Sequence, residues 1–365
     1  MGFKCGIVGL PNVGKSTLYN ALTQSKIEAA NYPFCTIEPN IGIVPLPDRR
    51  LDHLADIVQP KQVIPTCMKF VDIAGLVAGA AQGEGLGNKF LANIREVQAI
   101  AHVVRCFDDP EVTHVAGVVD PLADIETIDT ELCLADLDVV EKSLAKAQKI
   151  AKAGDKVARA RVSVCEKLLS CLSAGHAVRS IEERTDAEQE IIASLQLLSD
   201  KPIVYVANVA EDQLHDNPYV EQVRVHAASQ NAEVVIVCAA IEAELSELSI
   251  DDKAALLDGY GLTESGLDHL IRVGYEVLGL QIFFTAGVQE VRAWTMCKGD
   301  NAQTAAGVIH TDFIKGFIRA EVVSYDAYIE HQGEQGSKEA GVWRLEGKEY
   351  VVQDGDVIYF RINAK

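Results

Sequence analysis

The sequence predicts an α/β fold in which a mostly parallel sheet is interrupted by a helical hairpin and followed by a small α+β module. Three observations carry this prediction. Residues 1–121 and 200–280 alternate short apolar runs with helical stretches, as parallel sheets covered by helices do. Residues 122–199 contain no proline and are rich in Ala, Leu, Lys and Glu, which favours helices. Residues 281–365 are rich in strand-forming runs and are long enough for a small separate domain.

The elements of the sheet domain follow from these apolar runs and from the helical periodicity between them. Strands are predicted at Phe3–Gly9, Ile41–Val44, Met68–Ile73, Ala101–Phe107, Pro202–Ala207 and Glu233–Ala239. Helices are predicted at Lys15–Ser25, Arg49–Val58, Asn88–Ala99 and Gly266–Leu278.

The insertion and the C-terminal module have equally simple patterns. Helices of the insertion are predicted at Thr130–Ala153, Asp155–Ser173 and Asp186–Leu198, with Gly154 supplying the turn of the hairpin. Strands of the C-terminal module are predicted at Phe283–Thr285, Val291–Met296, Phe317–Val323, Lys348–Val351 and Val357–Ile362.

Composition excludes several classes of protein. The chain has 365 residues, 48% of them apolar, which is ample for two or three packed domains and excludes wholesale disorder. A formal charge of −20 argues against indiscriminate coating of nucleic acid. The nine cysteines form no C-x-x-C pair, which is typical of a reduced cytosolic chain without a zinc site. No apolar run reaches membrane-spanning length, so we expect a cytoplasmic protein with no membrane partner.

The most informative motif is the stretch GLPNVGKST at residues 9–17, which fits G-x-x-x-x-G-K-[ST] between a strand and a helix. Such a loop cradles the phosphates of a nucleoside triphosphate with backbone amides and a helix N-terminus. Lys15 is expected to neutralise the β- and γ-phosphates, and Ser16 to bind Mg²⁺. The predicted nucleotide contacts of the loop are Asn12, Val13, Gly14, Lys15, Ser16 and Thr17.

Two further segments match the γ-phosphate side of such a site. Asp72 ends an apolar run and begins Asp72-Ile73-Ala74-Gly75, so we expect Asp72 to hold the magnesium and Gly75 to contact the nucleotide. Thr36, in the segment NYPFCTIEPN at residues 31–40, is the best candidate for a switch threonine that binds Mg²⁺.

The base-recognition segment departs from that of ordinary GTPases, which use N-K-x-D. Here the sequence is Asn208-Val209-Ala210-Glu211, which lacks the lysine and has a longer carboxylate. Asn208 and Glu211 are therefore candidate base contacts with weakened selection for guanine. The residues alone leave ATP and GTP both open.

The water-activating residue is also unusual. Leu76 follows Gly75, where many switch GTPases have the glutamine that orients water. Either hydrolysis needs a partner, or another side chain acts. His114, in the polar segment after the fourth predicted strand, is the candidate, with an ordinary loop histidine as the equal alternative.

A cluster of positive charge in the insertion reverses the sign of the chain. Only two acidic residues accompany seven basic ones within 141–162. We call these seven the basic ridge: Lys142, Lys146, Lys149, Lys152, Lys156, Arg159 and Arg161. Because no aromatic residue interleaves them, contact with RNA phosphates rather than bases is the expected mode, against the alternative of a solvated helix face.

The strings GLPNVGKST, NYPFCTIEPNIG and VDIAGLVAGAAQGEGLGNKFL together resemble the YchF (Obg-like ATPase) family of Obg-related P-loop NTPases. The C-terminal strings VRAWTMCKGDNAQTAAGVIHTDFIKGFIRAEVVSYDAYI and GKEYVVQDGDVIYFRI are similar to the TGS domain of that family, a ubiquitin-like β-grasp module. The resemblance covers essentially the whole chain. It implies a G-domain-like fold, a preference for ATP over GTP, association with the ribosome, either its large subunit or the whole 70S particle, and a monomer whose TGS domain also recognises RNA or protein.

The leading hypothesis is therefore a Mg²⁺-dependent, ATP-hydrolysing molecular switch that associates with the ribosome. Asn12 also admits K⁺ as an additional cofactor. A GTPase of the same architecture, a nucleic-acid-binding protein with a regulatory nucleotide site, and a small-metabolite kinase are the alternatives.

Overall fold

A computed structural model describes residues 3–24, 40–73, 91, 93–109, 114 and 117–363. The chain divides into two compact units. The first comprises Met1–Lys26, Ile37–Gly42 and Lys69–Val273, and the second Ile27–Thr36, Ile43–Met68 and Gly274–Lys365. The contacts therefore group residues 43–68 with the C-terminal part and the helical insertion with the phosphate loop. The three predicted domains, 1–121 with 200–280, 122–199 and 281–365, stay a prediction.

The strands form two sheets. In chain order they are β1 Lys4–Val8, β2 Ile41–Pro45, β3 Gln62–Ile64, β4 Cys67–Asp72, β5 Ala99–Arg105, β6 Ile203–Asn208, β7 Glu233–Val237, β8 Leu280–Ala286, β9 Glu290–Cys297, β10 Phe317–Ser324, β11 Arg344–Glu346 and β12 Asp356–Ile362. The helices are Lys15–Gln24, Arg49–Val58, Pro121–Ala151, Lys156–Ser173, Asp186–Leu195, Pro218–Ser229, Ala239–Glu247, Ile250–Gly259, Gly266–Val277, Ala302–Ile309, Thr311–Gly316, Tyr325–Glu330 and Glu334–Glu339.

The first sheet has the order β2-β4-β1-β5-β6-β7. The pairs of β1 with β4 and β5, of β5 with β6 and of β6 with β7 are all parallel, as the alternating pattern predicts. Every residue of β5 and β6 is buried, which agrees with their mostly apolar sequences. Because the strands are parallel, their carboxyl ends meet at one edge, where the phosphate loop also begins.

The insertion forms the predicted hairpin, with Gly154 in a left-handed conformation (φ 89°) between its two long helices. The first helix is longer than predicted, since it begins at Pro121 rather than Thr130. Asp120 caps it by accepting hydrogen bonds from two backbone amides, and proline suits the first helical position. The helix that begins at Asp186 ends at Leu195, three residues before the predicted end. Cys133, Val140, Val164, Cys165, Leu168 and Leu172 belong to the apolar core of the insertion.

The second sheet has the order β11-β10-β12-β8-β9-β3. Its hairpin β8–β9 is antiparallel and β12 pairs with β8 in parallel, which with the covering helix Ala302–Ile309 matches the predicted β-grasp module. The predicted strand Lys348–Val351 is wrong, because only Val351 makes a single bridge, to Asn301. The sequence analysis missed β3, which pairs with β9 more than 200 residues away and so has no local signal.

Residues 88–90 and 92 of the predicted helix Asn88–Ala99 lie outside the described residues. Residues 91 and 93–95 are helical, as predicted, but the prediction is too long at its end, because Ala99 is the first residue of β5. Within the described residues, no helix combines the length and apolar character needed to cross a membrane.

Candidate nucleotide-binding site

The loop at residues 9–17 leaves β1 and enters the helix Lys15–Gln24. Three of its residues have positive φ angles, Gly9 with 155°, Asn12 with 62° and Gly14 with 98°. A Cβ at Gly14 would lie 2.2 Å from the side-chain nitrogen Nδ2 of Asn208. A Cβ at Gly9 would lie 2.5 Å from the backbone carbonyl oxygen of Val103. Both glycines are therefore required by close approach, and the loop packs tightly against the ends of β5 and β6.

Lys15 turns into the loop instead of extending into solvent. Its side-chain nitrogen donates a hydrogen bond to the carbonyl oxygen of Leu10 at 2.6 Å, and the residue is 7% exposed. Burial lowers the pKa of Lys15 from 10.5 to about 8, and the nearby Asp72 opposes that shift. A buried ammonium held by one carbonyl is well prepared for an anion, because a bound phosphate would restore the lost solvation.

The candidate magnesium ligands lie beside this ammonium. Ser16 is exposed at the start of the helix, and Asp72 ends β4 in register with Ile7 of β1. Burial raises the pKa of Asp72, and the charge of Lys15 lowers it. Thr36 and Gly75 lie outside the described residues.

The donor chemistry fits Mg²⁺. The described residues contain no cluster of three His, Cys, Asp or Glu side chains that could hold a metal. Magnesium in phosphate-binding sites takes one or two protein oxygens and completes its shell with phosphates and water. One hydroxyl and one carboxylate near Lys15 meet that requirement.

Asn208 ties the phosphate loop to the opposite side of the site. Its Nδ2 donates to the carbonyl oxygen of Val13 at 2.9 Å, and its Oδ1 accepts from the backbone amide of Ala239 at 3.1 Å. The side chain is 4% exposed. Val209, which replaces the usual lysine, is buried, whereas Glu211 is exposed in a short 3-10 turn. Glu211 is thus free to meet a base, and Asn208 positions backbone.

One cavity of about 730 Å³ unites these segments. Its volume suits a nucleotide. From the phosphate loop, Asn12, Gly14, Lys15, Ser16 and Thr17 line it, and from the base side Asn208, Val209, Ala210, Glu211, Cys238, Ala239 and Ala240. Val13 of the same loop is fully buried, and its carbonyl oxygen accepts the hydrogen bond from Asn208. Asp72 is not among the lining residues and reaches the site through Lys15.

Several lining residues are not among the predicted site residues, and one wall of the cavity was missed altogether: Phe107, Asp108 and Asp109. They follow β5, whose carboxyl end lies at the same edge as the phosphate loop, so strand order is the signal that would have found them. Arg105 fixes this wall by donating to the carbonyl oxygens of Phe107 at 3.1 Å and Asp109 at 3.3 Å.

His114 is not on the cavity wall. It is 6% exposed, and its Nε2 lies 3.0 Å from Oδ2 of Asp124, in the first turn of the helix Pro121–Ala151. The structure therefore brings the predicted phosphate-loop and base-side residues together and holds the predicted water-activating histidine apart from them.

Comparison with known proteins gives matches at both ends of the chain. Residues 4–135 match the family model described as a 50S ribosome-binding GTPase. Residues 280–363 match the model of the C-terminal domain of YchF GTPases, described as a protein of unknown function (DUF933).

Full-length relatives agree with both matches. The chain is 61% identical over 364 residues to the ribosome-binding ATPase YchF of Haemophilus ducreyi, with 100% of both chains covered. It is 56% identical to the protein of the same name from Escherichia coli O157:H7 and 55% identical to that from Bacillus subtilis, again over 100% of both chains. The solved YchF GTPase of Schizosaccharomyces pombe superposes with a TM-score of 0.89 at 37% identity, covering 99% of this chain and 98% of that one.

Proposed function

The chain belongs to the YchF family, and on that premise we propose that it is a Mg²⁺-dependent, ATP-hydrolysing switch that associates with the ribosome. The observation that carries the proposal is that one cavity is lined both by the phosphate loop and by the Asn208–Glu211 segment. Its bacterial relatives are named ribosome-binding ATPases, which agrees with a hydrolase built on this cavity.

The residues of the loop bind the triphosphate. In this proposal the phosphates bind the backbone amides of residues 12–17 and the N-terminus of the helix Lys15–Gln24, and Lys15 exchanges its hydrogen bond to the carbonyl of Leu10 for bonds to phosphate oxygens. Ser16, Asp72 and Thr36 are the proposed magnesium ligands, and Gly75 the proposed γ-phosphate contact. The bound metal would neutralise charge on the transferred phosphoryl group.

ATP is the proposed substrate because the carboxylate that selects guanine is displaced. Glu211 is one methylene longer than the usual aspartate, and the lysine that would cover the base is the buried Val209. GTP is the alternative substrate, since one matching family model and the solved relative are described as GTPases. K⁺ beside Asn12 is a further proposed cofactor.

We assign His114 the role of orienting or deprotonating water. It is the imidazole carried by the polar segment that follows β5, the strand whose next residues line the cavity. This role requires the ring to leave Asp124, because the cavity wall does not include it in the present conformation.

The proposed ribosome contacts are the basic ridge and the TGS-like module. A groove of about 640 Å³ between the hairpin helices is lined by Lys149, Lys152 and Arg159, and these side chains are exposed. Exposed basic groups along a helical hairpin can form ion pairs with RNA phosphates. We propose that the protein acts as a monomer in the cytoplasm, where ribosomes work.

Titration with ATP and GTP, with and without purified ribosomes, tests the proposal. We expect tighter binding of ATP, and we expect Lys15→Ala to lower hydrolysis at least about 100-fold because the phosphate charge is no longer neutralised. The matched control is Lys61→Ala, an exposed lysine of the second unit. Tenfold tighter binding of GTP, about 1.4 kcal/mol, would contradict the choice of ATP.

The same experiment tests the nucleic-acid-binding alternative. If Lys15→Ala leaves hydrolysis and ribosome association both unchanged, the phosphate loop has no part in either activity, and the proposal of a nucleotide-driven switch is wrong.

A further inference from the structure

The contact between His114 and Asp124 is buried on both sides. The imidazole side chain is 3% exposed and the carboxylate 5%, and Nε2 to Oδ2 measures 3.0 Å. A hydrogen bond with such low exposure is sheltered from water, so breaking it leaves a buried carboxylate without its partner. The hydrogen bond therefore holds the histidine in one defined conformation.

Asp124 is held firmly in its own place. It lies in the first turn of the helix Pro121–Ala151, and its backbone amide donates to the carbonyl oxygen of Asp120 at 3.0 Å. Asp120 also caps the helix through its side chain. Burial raises the pKa of Asp124, the hydrogen bond from His114 opposes that shift, and of the other charged groups Asp120 raises this pKa and Arg105 lowers it. Movement of Asp124 is thus movement of the helix end.

Arg105 connects the His114–Asp124 pair to the cavity wall. This arginine faces Asp124 and donates to the carbonyl oxygens of Phe107 and Asp109, two residues that line the cavity. His114 follows this wall in the chain after only a few residues, yet it is itself held by the helix.

The other end of the same helix carries part of the basic ridge. Lys142, Lys146 and Lys149 lie between about 27 and 38 Å from Asp124 along a continuous helix at 1.5 Å per residue. A helix transmits displacement along its axis, and a shift of about 1 Å is enough to break a hydrogen bond at its far end.

We propose that Asp124 is a positioning residue that holds His114 away from the nucleotide, and that occupation of the basic ridge by a partner releases the histidine through this helix. The proposal rests on the function proposed above, because it takes His114 as the group that meets water. The ribosome then stimulates hydrolysis by freeing a side chain that the protein already has.

Asp124→Ala and the isosteric Asp124→Asn test this. In the absence of ribosomes we expect kcat for ATP to rise about fivefold or more in Asp124→Ala, with KM unchanged, and to rise less in Asp124→Asn, which keeps an acceptor oxygen. Stimulation by ribosomes should shrink by the same factor. Adding His114→Ala should abolish the rise, since the released group is then missing.

Asp136→Asn is the matched control. Asp136 is another buried carboxylate of the same helix, but it accepts hydrogen bonds from the backbone amides of Leu198 and Ser199, not from His114. It should leave the ratio of stimulated to basal turnover unchanged. Urea unfolding of each variant shows that it is folded.

Unchanged or reduced basal turnover in both folded Asp124 variants would overturn the proposal, since a carboxylate that orients an active histidine would give a loss. Failure of the proposed function has a separate signature. If Lys15→Ala hydrolyses ATP normally, or if His114→Ala alone leaves stimulated turnover intact, the catalytic assignment fails and the release mechanism fails with it.

Discussion

Two polar side chains line the cavity in different ways, Asn208 as a buried link between backbone groups and Glu211 as an exposed carboxylate. Asn208 is buried and holds the carbonyl of Val13 and the amide of Ala239, so it joins two loops. Glu211 is exposed on the cavity wall. A residue that shapes the site affects every nucleotide alike, whereas one that meets the base affects the choice between nucleotides.

Substitution of Asn208 by alanine should therefore weaken ATP and GTP binding by the same factor. The change leaves the Val13 carbonyl and the Ala239 amide unpaired in the interior, which should lower the free energy of unfolding by about 2 kcal/mol. Titration with both nucleotides and urea unfolding measure the two effects.

The exposed Glu211 supplies the control, because Glu211→Ala should change stability by less than about 0.5 kcal/mol and change the ratio of ATP to GTP affinity. A shift of that ratio in Asn208→Ala would show that Asn208 itself reads the base.

At the scale of elements, one helix supports the start of another. Glu242, in the helix Ala239–Glu247, is 4% exposed, and its Oε1 accepts a hydrogen bond from the amide of Gly266 at 2.7 Å. Gly266 begins the helix Gly266–Val277, whose free amides favour an acceptor. Burial nevertheless raises the pKa of Glu242 from 4.5 to about 7, with Asp268 adding to the shift.

The stability of the protein should consequently fall as Glu242 ionises. The folded state binds its proton more tightly than the unfolded state, so the contribution is complete below about pH 4.5 and is lost as the pH rises through about 7. Glu242→Gln keeps an acceptor and cannot ionise. We expect it to be more stable than the parent by on the order of 2 kcal/mol at pH 8, and to lose most of that advantage at pH 5.

Urea unfolding at both pH values measures the difference. Glu244→Gln, an exposed carboxylate of the same helix, should behave alike at pH 5 and pH 8. An advantage of Glu242→Gln that does not depend on pH would assign the effect to packing.

The elements that the sequence predicts well are those with local signals. Arg49–Val58 is confirmed at both ends, because Asp48 caps it by accepting from the amide of Arg50 and its apolar face is periodic. The phosphate loop is equally local, since its glycines, lysine and serine are contiguous. By contrast, the predicted strand Lys348–Val351 ends in the strand-favouring pair Tyr350-Val351 but forms only one isolated bridge, from Val351 to Asn301.

Features that depend on tertiary contacts escaped prediction. β3 is a strand only because β9 pairs with it, and Asp108 and Asp109 line the cavity only because β5 lies next to β1. The burial of His114 against Asp124 also has no sequence pattern, since ten residues separate the two. The roles proposed for Thr36 and Gly75 remain predictions.

At the scale of the whole molecule, charge is distributed unevenly. The chain carries −20, yet the basic ridge is a local concentration of positive charge on the inserted hairpin. Lys142 pairs with Asp138 at 2.5 Å, whereas Lys149, Lys152 and Arg159 line the groove between the helices. An acidic body is repelled by RNA, so binding through this groove should depend strongly on ionic strength.

Simultaneous substitution of Lys149, Lys152 and Arg159 by alanine should therefore weaken ribosome binding and flatten its dependence on salt. Each lost phosphate contact lowers the slope of log affinity against log salt by about 0.7–0.9, so the triple variant should lose about 2 to 3. ATP affinity without ribosomes should not change, because none of the three lines the nucleotide cavity. Co-sedimentation with ribosomes over a range of salt concentrations measures the slope.

The control is a variant in which three exposed basic residues elsewhere, Arg49, Lys61 and Arg224, are replaced by alanine. It has the same net charge as the triple variant of the hairpin and should keep the parent slope. Equal losses in the two variants would mean that net charge, rather than the hairpin, governs the association.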